Sequence, residues 1–283
     1  MPELAVTVRE LVGGGAALLA ASGVPAARHE ALALWAAVEG GSPGAGVLDG
    51  DRQAGGGVEA FQAAVRRRAS GEPLAHVIGR AGFRHLDLVS DHRALIPRPE
   101  TEGLVDLLLG VVCTGRLADI GTGSGCLALS LATEGGFSEV VATDISSAAL
   151  SLARENRDRT GAPVLLVQGD LCDPLRFGAF DALVSNPPYL TMDEYAAVDP
   201  SVRAWEPREA LVGGADGLGS IARLLDEGRA ALRAGGWVAV EVDCSRAAEC
   251  AGLAGALGWT DVAVHADLFG RERYLLARRS DTT

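Results

Sequence analysis

Between Arg116 and Ser185 the chain passes four times from an apolar run into a polar or glycine-rich corner, with helical spacing between most of the runs. Arg116–Ile120 leads into Gly121-Thr122-Gly123-Ser124-Gly125. Val140–Asp144 and Pro163–Asp170 each end on an acid, and Phe180–Ser185 leads into Asn186-Pro187-Pro188-Tyr189. Strand and helix patterns in alternation predict an α/β domain, a parallel sheet with helices on both faces. Such sheets bind ligands outside the carboxyl ends of their strands, so all four corners fall on one edge. Three further strands are expected at Gly236–Val242, Val262–Leu268 and Arg273–Ala277. The last two are separated by Phe269-Gly270-Arg271, too short for a crossover helix, so they must pair antiparallel.

The corners differ in chemistry. Glycines at 121, 123 and 125 allow a tight turn and close backbone approach, and the following helix offers unpaired N–H groups at its start. Such a loop alone could hold a dinucleotide, but its glycines run G-x-G-x-G and not G-x-G-x-x-G. Asp144 ends the second strand about 20 residues on, where an acid accepts ribose hydroxyls; it could equally cap a helix, although Ser146 or Ser147 fills that role as well. Asp170 ends the third strand, where a carboxylate suits an adenine amino group and Leu171 packs on the ring. Together the three corners specify an adenosine-bearing cofactor.

The fourth corner is rich in acceptors. Proline lacks an N–H and pushes the residue before it into extended backbone, so Asn186, Pro187 and Pro188 show carbonyl oxygens with few neighbouring donors. The Asn186 side chain adds an amide oxygen and Tyr189 a flat aromatic face. The set suits an –NH₂ on an sp² carbon, whose two hydrogens two acceptors hold and aim. A proline-rich turn closing a strand is the plainer account of the same residues.

Composition sets the class. A net charge of −12 argues against a protein that grips nucleic acid over a broad face. All 25 basic residues are arginine, which reads as base composition; Arg66-Arg67-Arg68 forms a local patch or a solvated helix face. Five cysteines without a C-x-x-C pair fit reduced, buried thiols and no metal site. No apolar run approaches a membrane span of about 18 residues, so a cytoplasmic protein with no membrane partner is expected.

Ahead of the alternating region, residues 1–74 read as helices: Glu3–Ala21, a second opening at Pro25, and Val58–Ser70, with a glycine-rich linker from Gly40 to Gly57. Phe83, Leu86, Leu88 and Val89 predict short antiparallel strands. Pro97-Arg98-Pro99 then breaks regular structure before a helix that runs to about Gly110. This stretch is a connector or a lid over the cofactor.

The segments GEPLAHVIG, LIPRPETE, DIGTGSG, ATDIS, SNPPY, EPREALVGG and DLFGRERY together resemble the PrmC/HemK family, the release-factor glutamine N5-methyltransferases. SNPPY and GTGSG recur in other methyltransferases; LIPRPETE is more discriminating. The resemblance implies a Rossmann-like class I S-adenosylmethionine-dependent methyltransferase fold with a seven-stranded mixed sheet and a small N-terminal helical domain. It further implies a docking domain at 1–74, a β-hairpin connector at 75–100 and a catalytic domain at 101–283. S-adenosyl-L-methionine would be the cofactor and the glutamine of a release factor's Gly-Gly-Gln loop the substrate. Carried over by position, Gly121, Thr122, Gly123, Ser124, Gly125, Asp144, Asp170, Leu171 and Asn186 line the cofactor. Asn186, Pro187, Pro188 and Tyr189 hold the glutamine, with Asn186, Pro187 and Tyr189 catalytic. Two departures stand out: Leu171 where an aromatic residue is frequent, and Val240-Glu241-Val242-Asp243-Cys244 where a glycine and a glutamine are expected. The alternatives are methylation of an amino group on a nucleic-acid base or of a ribosomal-protein glutamine, and a cofactor-binding protein without turnover.

Overall fold

Thr7 opens the first helix by accepting the Glu10 N–H at 3.3 Å while the Glu10 carboxylate accepts the Thr7 N–H at 2.9 Å, a reciprocal cap. The computed structural model describes residues 6–41 and 50–280. Contacts divide the chain into two units, one holding the residues up to Gly79 together with Pro200–Trp205, the other the remainder.

The first unit is helical: α1 (Val8–Ala21), α2 (Ala27–Glu39), α3 (Val58–Ala69) and α4 (Leu74–Ile78). Its core gathers Val8, Leu19, Leu34, Trp35, Phe61 and Val65, with Phe61 edge-on to Trp35 at 5.7 Å. α4 was not expected. It packs Leu74, Val77 and Ile78 on that same core, which is why the unit runs to Gly79 and not to residue 74. The expected helix start at Glu3 and residues 42–49 of the Gly40–Gly57 linker fall outside the described residues; the linker's end forms a single 3₁₀ turn, Gly55–Gly57. Two of the three adjacent arginines are neutralised within the unit, Arg67 by Glu72 and Arg68 by Glu30.

The remaining elements, in chain order, are β1 (Arg80–Phe83), β2 (Leu86–Val89), α5 (Glu102–Leu109), β3 (Thr114–Ile120), α6 (Cys126–Glu134), β4 (Gly136–Asp144), α7 (Ser147–Thr160), β5 (Val164–Gln168), β6 (Phe180–Ser185), α8 (Met192–Ala197), α9 (Pro200–Trp205), α10 (Gly219–Ala231), β7 (Leu232–Glu241), α11 (Ala247–Ala256), β8 (Trp259–Ala266) and β9 (Glu272–Arg279). β1 and β2 form the expected hairpin. The other seven strands make one sheet in the order β5-β4-β3-β6-β7-β9-β8, parallel from β5 to β7 and antiparallel at β9 and β8. Several strands begin earlier than the apolar pattern indicates, because residues such as Thr114 and Gly136, polar or without a side chain, still pair in the ladder through their backbone.

All of β6 is buried, since helices cover both faces of a central parallel strand. Leu183 and Val240 pack on one face with Ile221, Leu224 and Leu225 of α10; Ala182 and Val184 pack on the other with Leu104 and Leu108 of α5. Strand order reverses between β3 and β6, the position where open sheets leave a crevice. Ile120 pairs with Ser185, and the Ser185 hydroxyl donates to the Ile120 carbonyl at 2.6 Å, so the glycine loop and Asn186 leave the sheet side by side. The five cysteines are unpaired, as expected, but not all buried: Cys113 and Cys244 lie exposed in the turns before β3 and after β7. No helix among the described residues is long and apolar enough to cross a membrane.

Candidate active site at the carboxyl edge of the sheet

A cavity of about 320 Å³ sits at this crevice, within the usual range of roughly 300–1,000 Å³ for small-molecule sites. Four corners meet in it. Gly121, Thr122, Gly123 and Ser124 line it from the glycine loop; Asp144, Asp170 and Leu171 from the next two strands; Asn186 and Pro188 from β6. Residues 93–98 and Thr101 cover one side, so the stretch between the hairpin and α5 does border the site. Gly125, Pro187 and Tyr189 are outside the lining. Gly125, at φ +86°, turns the chain into α6, while Tyr189 packs against the core beneath α10.

Three glycines at positive φ (+70°, +57° and +86°) shape the loop, a region that residues with a Cβ rarely enter. Asp144 holds its far side, its two carboxylate oxygens accepting the Gly123 and Ser146 N–H groups, each at 2.9 Å. Ser146 caps α7, so Asp144 is left to face the cavity. Burial pushes its carboxyl upward, against the lowering effect of the Ser146 and Gly123 bonds. Asp170 pairs with Arg223 at 3.0 Å. Leu171 takes the left-handed backbone at φ +45°, and its carbonyl accepts the Thr143 hydroxyl at 3.1 Å.

Beneath the loop lies Asp119, fully buried, one oxygen accepting the Thr122 hydroxyl at 2.6 Å and the Ala128 N–H at 3.1 Å. Its other oxygen, Oδ1, has no protein partner. Burial drives this carboxyl up from 3.8 to about 7. A carboxyl whose pKa is higher folded than unfolded stabilises the fold most at low pH, and the contribution is lost as pH climbs through the folded value. Asp119→Asn, uncharged throughout and still an acceptor for Thr122 and Ala128, is therefore expected to gain on the wild type as pH rises from about 4 to about 7, and to hold that gain above it. The comparison is of urea midpoints for the ligand-free proteins; parallel pH profiles would show that Asp119 does not carry the buried charge.

The Asn186 corner is held from behind. Asn186 Nδ2 donates to Thr101 Oγ1 at 3.1 Å, Thr101 Oγ1 donates to Glu241 Oε2 at 2.6 Å, and Tyr189 Oη reaches Glu241 Oε1 at 3.4 Å. Burial raises the Glu241 carboxyl, while Thr101 and Arg273, at 4.0 Å, act in the other direction. Glu241 also raises the Tyr189 phenol, after burial itself, so Tyr189 stays a neutral donor. A cross-connection Leu190 N–H to Leu211 carbonyl and Gly213 N–H to Leu190 carbonyl, each at 2.9 Å, lays Gly213 directly under the turn. A Cβ on Gly213 would stand 2.2 Å from the Pro188 carbonyl oxygen and 2.9 Å from Tyr189 Cα. Gly213→Ala should destabilise the fold by about 1–3 kcal/mol, as overpacking does, and shift the turn; unchanged urea unfolding and turnover together would disprove that contact.

Sequence reasoning did not find Thr101, Asp119, Glu206, Gly213 or Glu241. The buried Glu206 carboxylate accepts the Ile96 N–H at 3.0 Å and pairs with Arg98 at 2.6 Å, fixing one wall of the cavity. Four of the five lie in segments already conspicuous in the sequence: Thr101 in LIPRPETE, Asp119 in DIGTGSG, Glu206 and Gly213 in EPREALVGG. Glu241 sits where the sequence departs from its expected pattern.

Fold and site together define a class I S-adenosylmethionine-dependent methyltransferase. Residues 101–201 match the family described as Methyltransferase small domain, and residues 10–79 that described as PrmC N-terminal domain. A release factor glutamine methyltransferase of Deinococcus radiodurans is 41% identical over 277 residues, covering 96% of this chain and 99% of its own length. One of Rhodospirillum rubrum is 38% identical over 286 residues, covering 98% and 86%. The crystal structure of a methyltransferase from Pyrococcus furiosus, 22% identical, superposes with a TM-score of 0.54 over 77% of this chain and 98% of that one, and bears on the fold alone. The chain belongs to the release factor glutamine methyltransferase family.

Proposed function

We propose that the protein transfers a methyl group from S-adenosyl-L-methionine to the side-chain amide nitrogen of the glutamine in the Gly-Gly-Gln loop of peptide chain release factors, in the cytoplasm. The observation that carries this reading is the Asn186 carboxamide, tied by its –NH₂ to Thr101 and left with Oδ1 beside a cavity built for a small ligand.

The residues present fit the donor. Asp144 and Asp170 offer acceptors for ribose hydroxyls and for the adenine amino group, and the glycine loop lets backbone approach closely. S-adenosyl-L-methionine supplies an electrophilic methyl on a sulfonium sulfur. What the chain must add is aim. An amide nitrogen is a weak nucleophile because its lone pair is delocalised into the carbonyl. Asn186 Oδ1 and the Pro187 carbonyl accept its two hydrogens, localising that pair and pointing it at the methyl. Tyr189, anchored through Glu241 and packed on the core, holds the turn from behind. No base is needed: once alkylated the nitrogen is strongly acidic and loses its proton to water. The N-terminal helical unit is proposed to dock the release factor.

Full-length relatives named for the release factor support this substrate over a nucleic-acid base, as does the net charge of −12. The test is transfer of labelled methyl to purified release factor, to a copy with the Gly-Gly-Gln glutamine replaced, and to DNA and ribosomal RNA. Label on the intact factor alone is expected. Label on nucleic acid, or none despite donor binding, would overturn the reading.

A further inference from the structure

We propose that Thr101 is a positioning residue that sets which way round the Asn186 carboxamide stands, so that the site presents an acceptor and not a donor to its substrate. This rests on the glutamine-methylating reading above and concerns how the acceptor is oriented.

The argument is one of proton counting. A carboxylate only accepts, so the hydroxyl hydrogen of Thr101 must point at Glu241, 2.6 Å away. The Thr101 oxygen then offers lone pairs alone on its other side. An amide brought within 3.1 Å of those lone pairs must present its –NH₂, because its oxygen would meet another oxygen with no hydrogen between them. Both anchor residues are 2% exposed, so water does not readily substitute for either partner. Asn186 Oδ1 accepts nothing from the described residues and lies at the cavity. The orientation of one atom pair at the site is thus dictated through a hydroxyl from a carboxylate at the end of β7.

A flat amide without this tether has two orientations of similar shape, since its oxygen and nitrogen are nearly equal in size. In the inverted one, Nδ2 faces the substrate –NH₂, donor against donor, and the lone pair of the substrate nitrogen is no longer aimed. Thr101 comes from the segment that precedes α5 and Glu241 from β7, 140 residues away. LIPRPETE therefore has a chemical part in the site as well as a covering one. An acceptor-only face also separates substrates: an amide –NH₂ satisfies it, and a glutamate carboxylate in the same place does not.

The experiment compares wild type, Thr101→Val and Thr101→Ser, measuring kcat and KM for methyl transfer to release factor alongside the Kd for S-adenosylmethionine. Valine keeps the shape and removes the hydroxyl; serine keeps the hydroxyl. Thr101→Val is expected to lose about 100-fold in kcat, the scale on which misplacing a reacting group acts, with KM and the donor Kd unchanged. Thr101→Ser is expected to retain most of the activity. Full turnover in Thr101→Val, a loss confined to KM or to donor binding, or a serine variant as impaired as valine would each overturn the proposal. Should Thr101→Val fail to bind the donor through misfolding, Thr101→Ala, smaller and equally without a donor to Glu241, is read in its place against the same expectations. A wild type that leaves release factor unlabelled would instead remove the functional reading itself, whatever the variants do.

Discussion

Asn186→Ala is expected to lower kcat for methyl transfer to release factor by about 10²–10³-fold, the range seen when one preorganised polar group is removed from a reacting centre. Donor binding should largely survive, because the glycine loop and Asp144 are held by bonds that do not pass through Asn186. The physical reason for so large an effect is that the substrate nitrogen has little nucleophilicity of its own. Removing one of its two acceptors takes away both the localisation of its lone pair and half of its aim. Asn186→Asp is nearly as damaging in this arrangement despite its matched shape. Its second oxygen would replace Nδ2 at 3.1 Å from Thr101 Oγ1, whose hydrogen is already given to Glu241. The new carboxylate must then turn, or take up a proton that makes it a donor. Single-turnover methyl transfer with donor Kd measured in parallel separates the two steps. An alanine variant with wild-type turnover would mean that the amide is held elsewhere.

Much of this architecture was legible because its signals are local. β6 was read to the residue: a central strand buried on both faces is continuously apolar, and a double proline ends it sharply. The antiparallel β8–β9 pair followed from chain length alone. The two acids, Asp144 and Asp170, and the glycine loop were visible at the expected strand ends, and the register of Ile120 with Ser185 sets the glycine loop beside the Asn186 corner. What stayed hidden was of two kinds. α8 carried a readable signature, Thr191 with Glu194 three residues on, which forms a reciprocal cap in the structure, but its few apolar residues gave no periodicity to prompt the search. The bonds of Thr101 to Glu241 and of Glu206 to Ile96 had no sequence signature at all, because they join residues more than a hundred positions apart through side chains of ordinary type. Glu241 looked like a blemish in a strand ending; buried against Thr101, Tyr189 and Arg273, it is the anchor of the corner in front of it.

Asp144→Ala is the complementary experiment, and its expected effect is on donor affinity: the Kd for S-adenosylmethionine should weaken by about 100-fold. Hydrogen bonds to a charged group contribute roughly 1.5–3 kcal/mol each, and about 1.4 kcal/mol is a factor of ten in Kd. Alanine removes the acceptor offered to the ribose and also releases the Gly123 N–H, now held at 2.9 Å, so the loop that must meet the ligand loses a tether as well. Asp144→Asn should fall between, since an amide keeps one acceptor but turns its –NH₂ toward one of two backbone donors, Gly123 or Ser146. At saturating donor, kcat should recover in both variants, because no bond of the Thr101–Asn186–Glu241 chain involves Asp144. Isothermal titration with donor, paired with kcat at saturation, gives both quantities. The two substitutions then split along the crevice, Asp144 on Kd and Asn186 on kcat, as expected of a site whose cofactor and substrate corners hang from different strands. If Asp144→Ala bound the donor as tightly as wild type, the second strand's acid would be a loop brace only, and the ribose would have to be placed against another wall of the cavity.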